Sequence, residues 1–165
     1  MVRVKDACEI IELAVSNNIE LFIDGGWGID ALLGFETRLH NDIDLFVEKR
    51  YYKRFIEIIR NKGFCEKTEE YSNENHSVWK DSYDRIIDLH CFEYTSDQNI
   101  KYEGEIYSAN VFSGKGIIGH IEVKCIEPES QVAFHLGYEH DKDDIHDVLL
   151  LCKAFDIPIP NKYTE

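Results

Sequence analysis

The chain has 165 residues, a formal net charge of −14, and hydrophobic and aromatic contents of 44% and 12%. This composition fits one folded domain, with or without a small helical appendix, and excludes a disordered chain. The acidic balance argues against nucleic acid as the main partner, because phosphate backbones are bound by basic surfaces. It fits a cationic small substrate, and it equally fits plain solubility.

The five cysteines indicate a reducing compartment. Their number is odd, no pair has CxxC spacing, and several lie in apolar runs, which is typical of small core residues rather than of disulfides or a zinc site. The first ten residues lack the apolar segment of a signal peptide. No apolar run approaches the roughly 20 residues that span a bilayer. We therefore expect a cytoplasmic protein with no membrane partner.

Helices and strands alternate in the first third of the chain. Apolar residues at helical spacing predict a helix at 5–17, and a short apolar run predicts a strand at 21–24. A short helix at 27–34 and an alternating strand at 42–48 follow. A further helix begins near Tyr51 and ends near Gly63.

The rest of the chain is rich in strands and then helical. The predicted elements are an antiparallel hairpin of 76–80 with 84–93, short strands within 95–120, a strand at 119–127, a helix from Pro128 and a helix at 143–155. This order predicts an α+β fold, a mixed β-sheet flanked by helices with a C-terminal helical pair. We place the core at 1–127 and the helical segment at 128–165, with a soft boundary because no linker separates them.

A glycine pair lies where the first strand should meet a helix. Successive glycines at Gly25 and Gly26, before Trp27, let a ligand approach the backbone. The partial positive charge of a helix N-terminus suits phosphate. The alternative is an ordinary turn.

Two carboxylates follow on the next strand. Asp42 and Asp44 are separated by one residue, so in a strand they point to the same face. Adjacent carboxylates repel unless a cation lies between them, and hard oxygen ligands select Mg²⁺. A solvent-facing edge strand is the alternative, which fits poorly with the apolar 45–47 directly after.

A third acid stands in an apolar strand. Asp88 is flanked by Ile86, Ile87 and Leu89. A carboxylate there can complete a metal site or accept a proton from an attacking hydroxyl. The alternative is a buried structural acid.

Together these segments resemble the polymerase-β-like nucleotidyltransferase superfamily. Four stretches resemble the small lincosamide nucleotidyltransferases more closely: IDGGWGID at 23–30, TRLHNDID at 37–44, IDLH at 87–90, and FHLGY at 134–138 with DIHD at 144–147. The resemblance spans about residues 5–160. Aminoglycoside 2″-nucleotidyltransferases share the first two blocks but match the C-terminal part less well.

The resemblance implies a nucleotidyltransferase-type fold and assigns roles to the acids. Asp42 and Asp44 would be metal ligands. Asp88 would be the third ligand and also the catalytic base, so that all three acids are catalytic. Two Mg²⁺ ions are expected, with ATP or another nucleoside triphosphate as co-substrate.

The nucleotide would lie at the glycine pair. Gly25, Gly26 and Trp27, with Arg38, are the predicted nucleotide-binding residues. Arg38 would neutralise phosphate charge, because guanidinium pairs well with phosphate. A surface ion pair of Arg38 with Glu36 or Asp42 is the alternative.

The acceptor would lie against the C-terminal helices. His135 and Tyr138 are three residues apart on one helical face and are the predicted substrate-binding residues. The sequence leaves the roles of His40, His135 and His146 open. Trp79, Tyr83 and Phe92 are candidates for an aromatic wall, of which we expect at least one to be ordinary core.

The implied reaction is the transfer of a nucleotidyl group, AMP from ATP, to a hydroxyl of a lincosamide antibiotic. An aminoglycoside acceptor is the enzymatic alternative. A non-catalytic antitoxin-like binding module of the same fold is the other alternative, and the complete set of three acids argues against it. By analogy with the family, we expect a homodimer.

Overall fold

The structure, a computed structural model, describes residues 1–137 and 141–163. Its helices are α1 (Val4–Val15), α2 (Gly25–Leu33), α3 (Lys49–Asn61), α4 (Pro128–His135) and α5 (Lys142–Phe155), with short 3₁₀ turns at Ala109–Ser113 and Asn161–Tyr163. Its strands are β1 (Leu21–Asp24), β2 (Ile43–Glu48), β3 (Cys65–Lys67), β4 (His76–Lys80), β5 (Ile86–Tyr94), β6 (Ile100–Tyr102), β7 (Glu105–Tyr107), β8 (Gly114–Ile118) and β9 (Ile121–Cys125).

The strands form one mixed sheet in the order β3-β4-β5-β2-β1-β9-β8, and β6 and β7 continue from β5. β1 runs antiparallel to β2, whereas β2 and β5 are parallel. The register places Asp24 beside Asp44 and Asp44 beside Asp88. Three adjacent strands therefore bring one carboxylate each to the same level of the sheet.

The alternation of side chains along β2 and β5 separates a core from a cavity. Ile43, Leu45 and Val47 of β2, like Ile87 and Leu89 of β5, point into the main apolar core beneath α1 and α3. Successive residues of a strand point to opposite faces. Asp44 and Asp88 therefore lie on the other face.

That other face carries a second apolar cluster. Its centre is aromatic, with Phe22, Phe46, Phe92 and Phe112 in mutual ring contact. Phe22 and Phe112 stack with ring centroids 4.2 Å apart. The sheet is thus covered by apolar side chains on both faces, and the acids lie at the edge of the aromatic cluster.

The C-terminal helical pair packs on α2. A third buried cluster joins them, made of Ile29, Val132, Val148, Leu151 and Cys152. The predicted α+β fold with its mixed sheet and C-terminal helices is confirmed, and the domain boundary near 127 stays a prediction. Among the described residues, no helix is both long and apolar enough to cross a membrane.

The differences from the predicted elements lie at boundaries and in short strands. α2 begins at Gly25 rather than at residue 27, because Asp24 caps it by accepting a hydrogen bond from the Gly25 N–H at 2.7 Å. β3, which is exposed, carries no hydrophobic pattern and was not predicted. Asp42 precedes β2 instead of beginning it.

Candidate active site

Four carboxylates converge at the carboxyl end of β1 and the beginning of β2. Asp42, Asp44 and Asp88, predicted from the sequence, are joined by Asp24. Burial raises the pKa of Asp44 well above its usual value, and the charges of Asp42, Asp88 and Asp24 raise it further. The pKa of Asp42 is raised by burial and then by Asp88. So much like charge in one partly buried place favours a bound cation.

The donor set fits a hard divalent cation. Asp42 and Asp44 supply oxygen ligands at adjacent positions, and two carboxylates with substrate phosphates are the usual environment of Mg²⁺. Burial is the largest cause of the raised pKa of both acids, and the like charges of neighbouring carboxylates add to it.

The glycine pair forms the wall beside the acids. Gly25 has a φ of +58°, and a Cβ added there would overlap the Asp44 carboxylate. A Cβ on Gly26 would overlap the ring of His40 and lie 2.8 Å from the Arg38 guanidinium. Only glycine leaves room here.

Two histidines flank Asp88. His76 on β4 donates from Nε2 to Asp88 Oδ1 at 2.5 Å. Burial opposes protonation of His76, but the hydrogen bond and charge of Asp88 outweigh it and raise its pKa. His90 on β5 lies with Nε2 3.7 Å from Asp88 Oδ1 and 4.0 Å from Asp44 Oδ1. Burial lowers the pKa of His90.

Tyr102 fixes the ring of His90. Its hydroxyl oxygen lies 2.8 Å from His90 Nδ1. The His90 ring also stacks on Phe46, with centroids 4.7 Å apart. The histidine is therefore held on three sides, by Tyr102, Phe46 and His76.

Arg38 lies at the cavity wall but is held by α5. Its guanidinium donates to both oxygens of the buried Asp147, with Nη2 at 2.6 Å from Oδ2 and Nε at 3.0 Å. Nη1 lies 3.5 Å from Asp143. The partners of Arg38 are thus on α5, and the sequence-level alternative of a pair with Glu36 or Asp42 is wrong.

His40 and Trp27 support the glycine pair from beneath. His40 is buried and its Nε2 lies 2.5 Å from Asp30 Oδ2. Asp30 also accepts hydrogen bonds from the Thr37 backbone N–H and hydroxyl. Trp27 is buried against the His40 ring, with centroids 4.6 Å apart, and is not part of the cavity wall. His40 is therefore a positioning residue, and Trp27 supports the loop.

These residues open into a cavity of about 700 Å³. One side is apolar and largely aromatic, lined by Phe46, Ile100, Tyr102, Tyr107, Val111, Phe112 and Phe134. The described lining also carries seven carboxylates, those of Asp24, Asp42, Asp44, Glu103, Asp141, Asp143 and Asp144, against the single guanidinium of Arg38. The cavity thus combines an apolar side with a strongly acidic one.

The predicted substrate-binding residues have different outcomes. His135 is buried, lines the cavity, and donates from Nδ1 to the Gln131 carbonyl at 2.8 Å. Tyr138 lies outside the described residues. His146 is exposed on α5 and is not part of the described cavity wall.

The proposed aromatic wall is wrong in its members. Trp79 is buried in the main core and Tyr83 is 80% exposed in a turn. Phe92 lies in the aromatic cluster behind the cavity. The wall comes instead from β2, β6, β7, the segment that follows β7, and Phe134 of α4. The sequence alone does not show that these segments are neighbours.

Sequence reasoning also missed Asp24, His76 and His90. His90 could have been predicted from the sequence. It follows Asp88 by two residues, and residues at that spacing in a strand point to the same face. His76 needs the register of β4 against β5, which pairs it with His90. Asp24 lies before the glycine pair, and its role follows from the pairing of β1 with β2.

Residues 6–151 match the protein family described as aminoglycoside-2″-adenylyltransferase. A lincosamide resistance protein of Staphylococcus haemolyticus is 26% identical over 154 residues, which cover 87% of this chain and 91% of that protein. A 2″-aminoglycoside nucleotidyltransferase of Klebsiella pneumoniae is 54% identical over 37 residues, 22% of this chain and 21% of the relative.

Solved structures share the fold. The crystal structure of a lincomycin-bound lincosamide antibiotic adenylyltransferase superposes with a TM-score of 0.80 at 24% identity, covering 91% of this chain and 96% of the other. An enzyme in complex with adenylyl-2″-tobramycin gives a TM-score of 0.72 at 22% identity, covering 92% and 88%.

Proposed function

Since the chain belongs to the aminoglycoside-2″-adenylyltransferase family and is a nucleotidyltransferase, we propose that it transfers AMP from ATP to a hydroxyl of a lincosamide antibiotic and thereby confers resistance. The observation that carries the proposal is the convergence of Asp42, Asp44 and Asp88 beside the Gly25 turn. Asp42 and Asp44 line a cavity of about 700 Å³, which is wide enough for a drug-sized acceptor.

The nucleotide would lie along the glycine pair. Gly25 and Gly26 line the cavity, and the N-terminus of α2 favours the negative charge of the triphosphate. Arg38 lies on the same wall and would pair with a phosphate oxygen. Mg²⁺ held by Asp42 and Asp44 would neutralise the phosphate oxygens and align the α-phosphorus with the acceptor.

Asp88 would accept the proton of the attacking hydroxyl. Its Oδ1 is occupied by the hydrogen bond from His76, which fixes the carboxylate and leaves the second oxygen for the acceptor. The acceptor oxygen then bonds to the α-phosphorus and pyrophosphate leaves. A base positioned in this way contributes about 10²–10⁴ in rate.

The cavity wall favours a lincosamide over an aminoglycoside. Phe46, Phe112 and Phe134 offer an apolar surface that a polycationic sugar chain does not need. The acidic residues of α5 and the loop before it offer a partner for a protonated amine. The family description and the 54% local identity favour an aminoglycoside as the second candidate.

Mass spectrometry tests both candidates at once. The chain is incubated with ATP, Mg²⁺ and either lincomycin, clindamycin, tobramycin or kanamycin, and the gain of one AMP is recorded. We expect adenylylated lincosamide and no adenylylated aminoglycoside.

Asp44→Asn is the control, because it removes a metal ligand and relieves the repulsion among buried acids. It should lower transfer by more than about 100-fold, or ~2.7 kcal/mol in barrier, without loss of thermal stability. A reversed acceptor pattern would move the chain to the aminoglycoside branch, and no transfer to any acceptor would refute the proposed function.

The proposed assembly is a homodimer, by analogy with small enzymes of this superfamily in which two subunits build the cleft. Light scattering of the purified chain, with and without ATP and acceptor, tests it. A mass of one subunit at micromolar concentration under all conditions would refute the dimer.

A further inference from the structure

A histidine nitrogen points into the carboxylate cluster. His90 Nε2 lies 3.7 Å from Asp88 Oδ1 and 4.0 Å from Asp44 Oδ1. These separations are too long for hydrogen bonds. They lie between the ~3.0 Å and ~4.2 Å that separate adjacent and opposite ligands around an ion whose bonds are ~2.1 Å long.

The other nitrogen of His90 is already committed. Its Nδ1 contacts the Tyr102 hydroxyl at 2.8 Å. The other ring nitrogen, Nε2, faces the carboxylates of Asp44 and Asp88.

His90 Nε2 faces the two carboxylates at separations that suit ligands of one cation. The arrangement matches protein metal sites, in which a ligating histidine donates its second N–H to a fixed partner and a ligating carboxylate accepts a hydrogen bond from a neighbour. Tyr102 is that partner for His90, and His76 is that neighbour for Asp88. His76, Asp88 and His90 also offer ligand atoms that all lie within 4.8 Å of one another.

We propose that, of the two expected cations, the one that Asp44 and Asp88 would hold takes His90 Nε2 as a nitrogen ligand, and that this site consequently binds Mn²⁺ or Co²⁺ in preference to Mg²⁺. This inference rests on the proposed function for the identity of the site. Imidazole suits transition ions better than it suits Mg²⁺, which prefers oxygen and keeps its waters. His76 remains hydrogen-bonded to Asp88 and orients it without ligating.

Electron spin-echo spectroscopy of bound Mn²⁺ tests the ligand directly. The full chain is loaded with Mn²⁺ alone, and nitrogen modulation is recorded for natural and ¹⁵N-histidine-labelled protein of wild-type sequence. We expect ¹⁴N modulation typical of a coordinated imidazole, replaced by the ¹⁵N pattern after labelling. Because no substitution is made, this result does not depend on a variant that folds.

Variants then assign the histidine. His90→Asn should abolish the modulation and weaken Mn²⁺ binding at least tenfold by calorimetry, with a smaller change for Mg²⁺. His76→Asn should keep the modulation. His120→Asn, at an exposed histidine that pairs with Glu12, is the matched control and should change neither readout.

Three results would overturn the inference: no nitrogen modulation in the wild type, modulation that persists in His90→Asn, or equal loss of Mn²⁺ and Mg²⁺ affinity in that variant. None of these results bears on whether the chain transfers AMP, so the inference and the proposed function can fail independently. A chain that adenylylates lincomycin with Mg²⁺ but lacks nitrogen modulation keeps the function and loses the inference. If the chain shows the modulation but transfers AMP to no acceptor, the inference stands and the proposed function fails.

Discussion

Gly25 lies against the carboxylate of Asp44 in the candidate active site. Its φ of +58° is in the left-handed region, and the space where a Cβ would lie is filled by the Asp44 carboxylate. Gly34, the residue after α2, has a φ of +82° and nothing within 4 Å of the Cβ position. Both glycines adopt a left-handed backbone conformation, but only Gly25 has neighbouring atoms where a Cβ would lie.

Substituting both glycines separates backbone strain from crowding of the site. Gly34→Ala should lose about 1 kcal/mol of stability and retain full transfer activity, because only the left-handed conformation is penalised. Gly25→Ala should lose at least as much stability and more than about 100-fold in activity, a change of ~2.7 kcal/mol in barrier, since Asp44 must move. Urea unfolding and the AMP-transfer assay measure the two effects. Equal activity in the two variants would mean that Gly25 serves only the turn.

At the scale of elements, the strands that carry the acids were predictable and their neighbours were not. Alternation in 42–48 and the apolar run around Asp88 predict β2 and β5 within a residue or two. Long-range pairing decides the rest. The register that aligns Asp24 with Asp44, and His76 with His90, depends on which strands lie side by side.

The contacts of α5 likewise could not be predicted from the sequence. The helical spacing predicts α5, but no local pattern says that Asp147 faces the core side of α5 and receives Arg38. Arg38 and Asp147 are 109 residues apart in sequence. Arg38, which a motif predicts to bind the nucleotide, connects the segment before β2 to α5.

A double-mutant cycle at Arg38 and Asp147 measures that connection. Arg38→Met leaves Asp147, which is 1% exposed, as an uncompensated buried charge. The expected loss is about 2 kcal/mol, less than the ~3–5 kcal/mol of a fully buried pair, because the Arg38 side chain is 23% exposed. Arg38→Met combined with Asp147→Leu should recover most of it. Urea unfolding gives each free energy, and additive losses would show that the two residues do not interact in solution.

At the scale of the whole molecule, the net charge of −14 and the acid-lined cavity act in the same direction. The field of the chain attracts a cationic acceptor, and its strongest part is at the mouth where Asp141, Asp143 and Asp144 lie. The same field repels a triphosphate, so Arg38, the N-terminus of α2 and a bound cation must overcome it locally. Composition alone left solubility and substrate attraction undecided. The placement of seven carboxylates around one cavity favours attraction.

Ionic strength distinguishes attraction from solubility. Raising salt from about 0.02 to about 0.5 M shortens the screening length several-fold, so kcat/KM for lincomycin, varied at saturating ATP, should fall severalfold while kcat changes little. Asp143→Asn removes one exposed charge beside the cavity, 3.5 Å from Arg38, and should raise KM for lincomycin about two- to fivefold, or ~0.4–1 kcal/mol, and flatten the salt dependence. Glu122→Gln makes the same charge change on β9, outside the cavity wall, and should leave both unchanged. If Glu122→Gln has the effect of Asp143→Asn, the total charge of the molecule matters and the cavity acids have no special part in binding the acceptor. If neither variant nor salt changes kcat/KM, the acidic surface serves solubility alone.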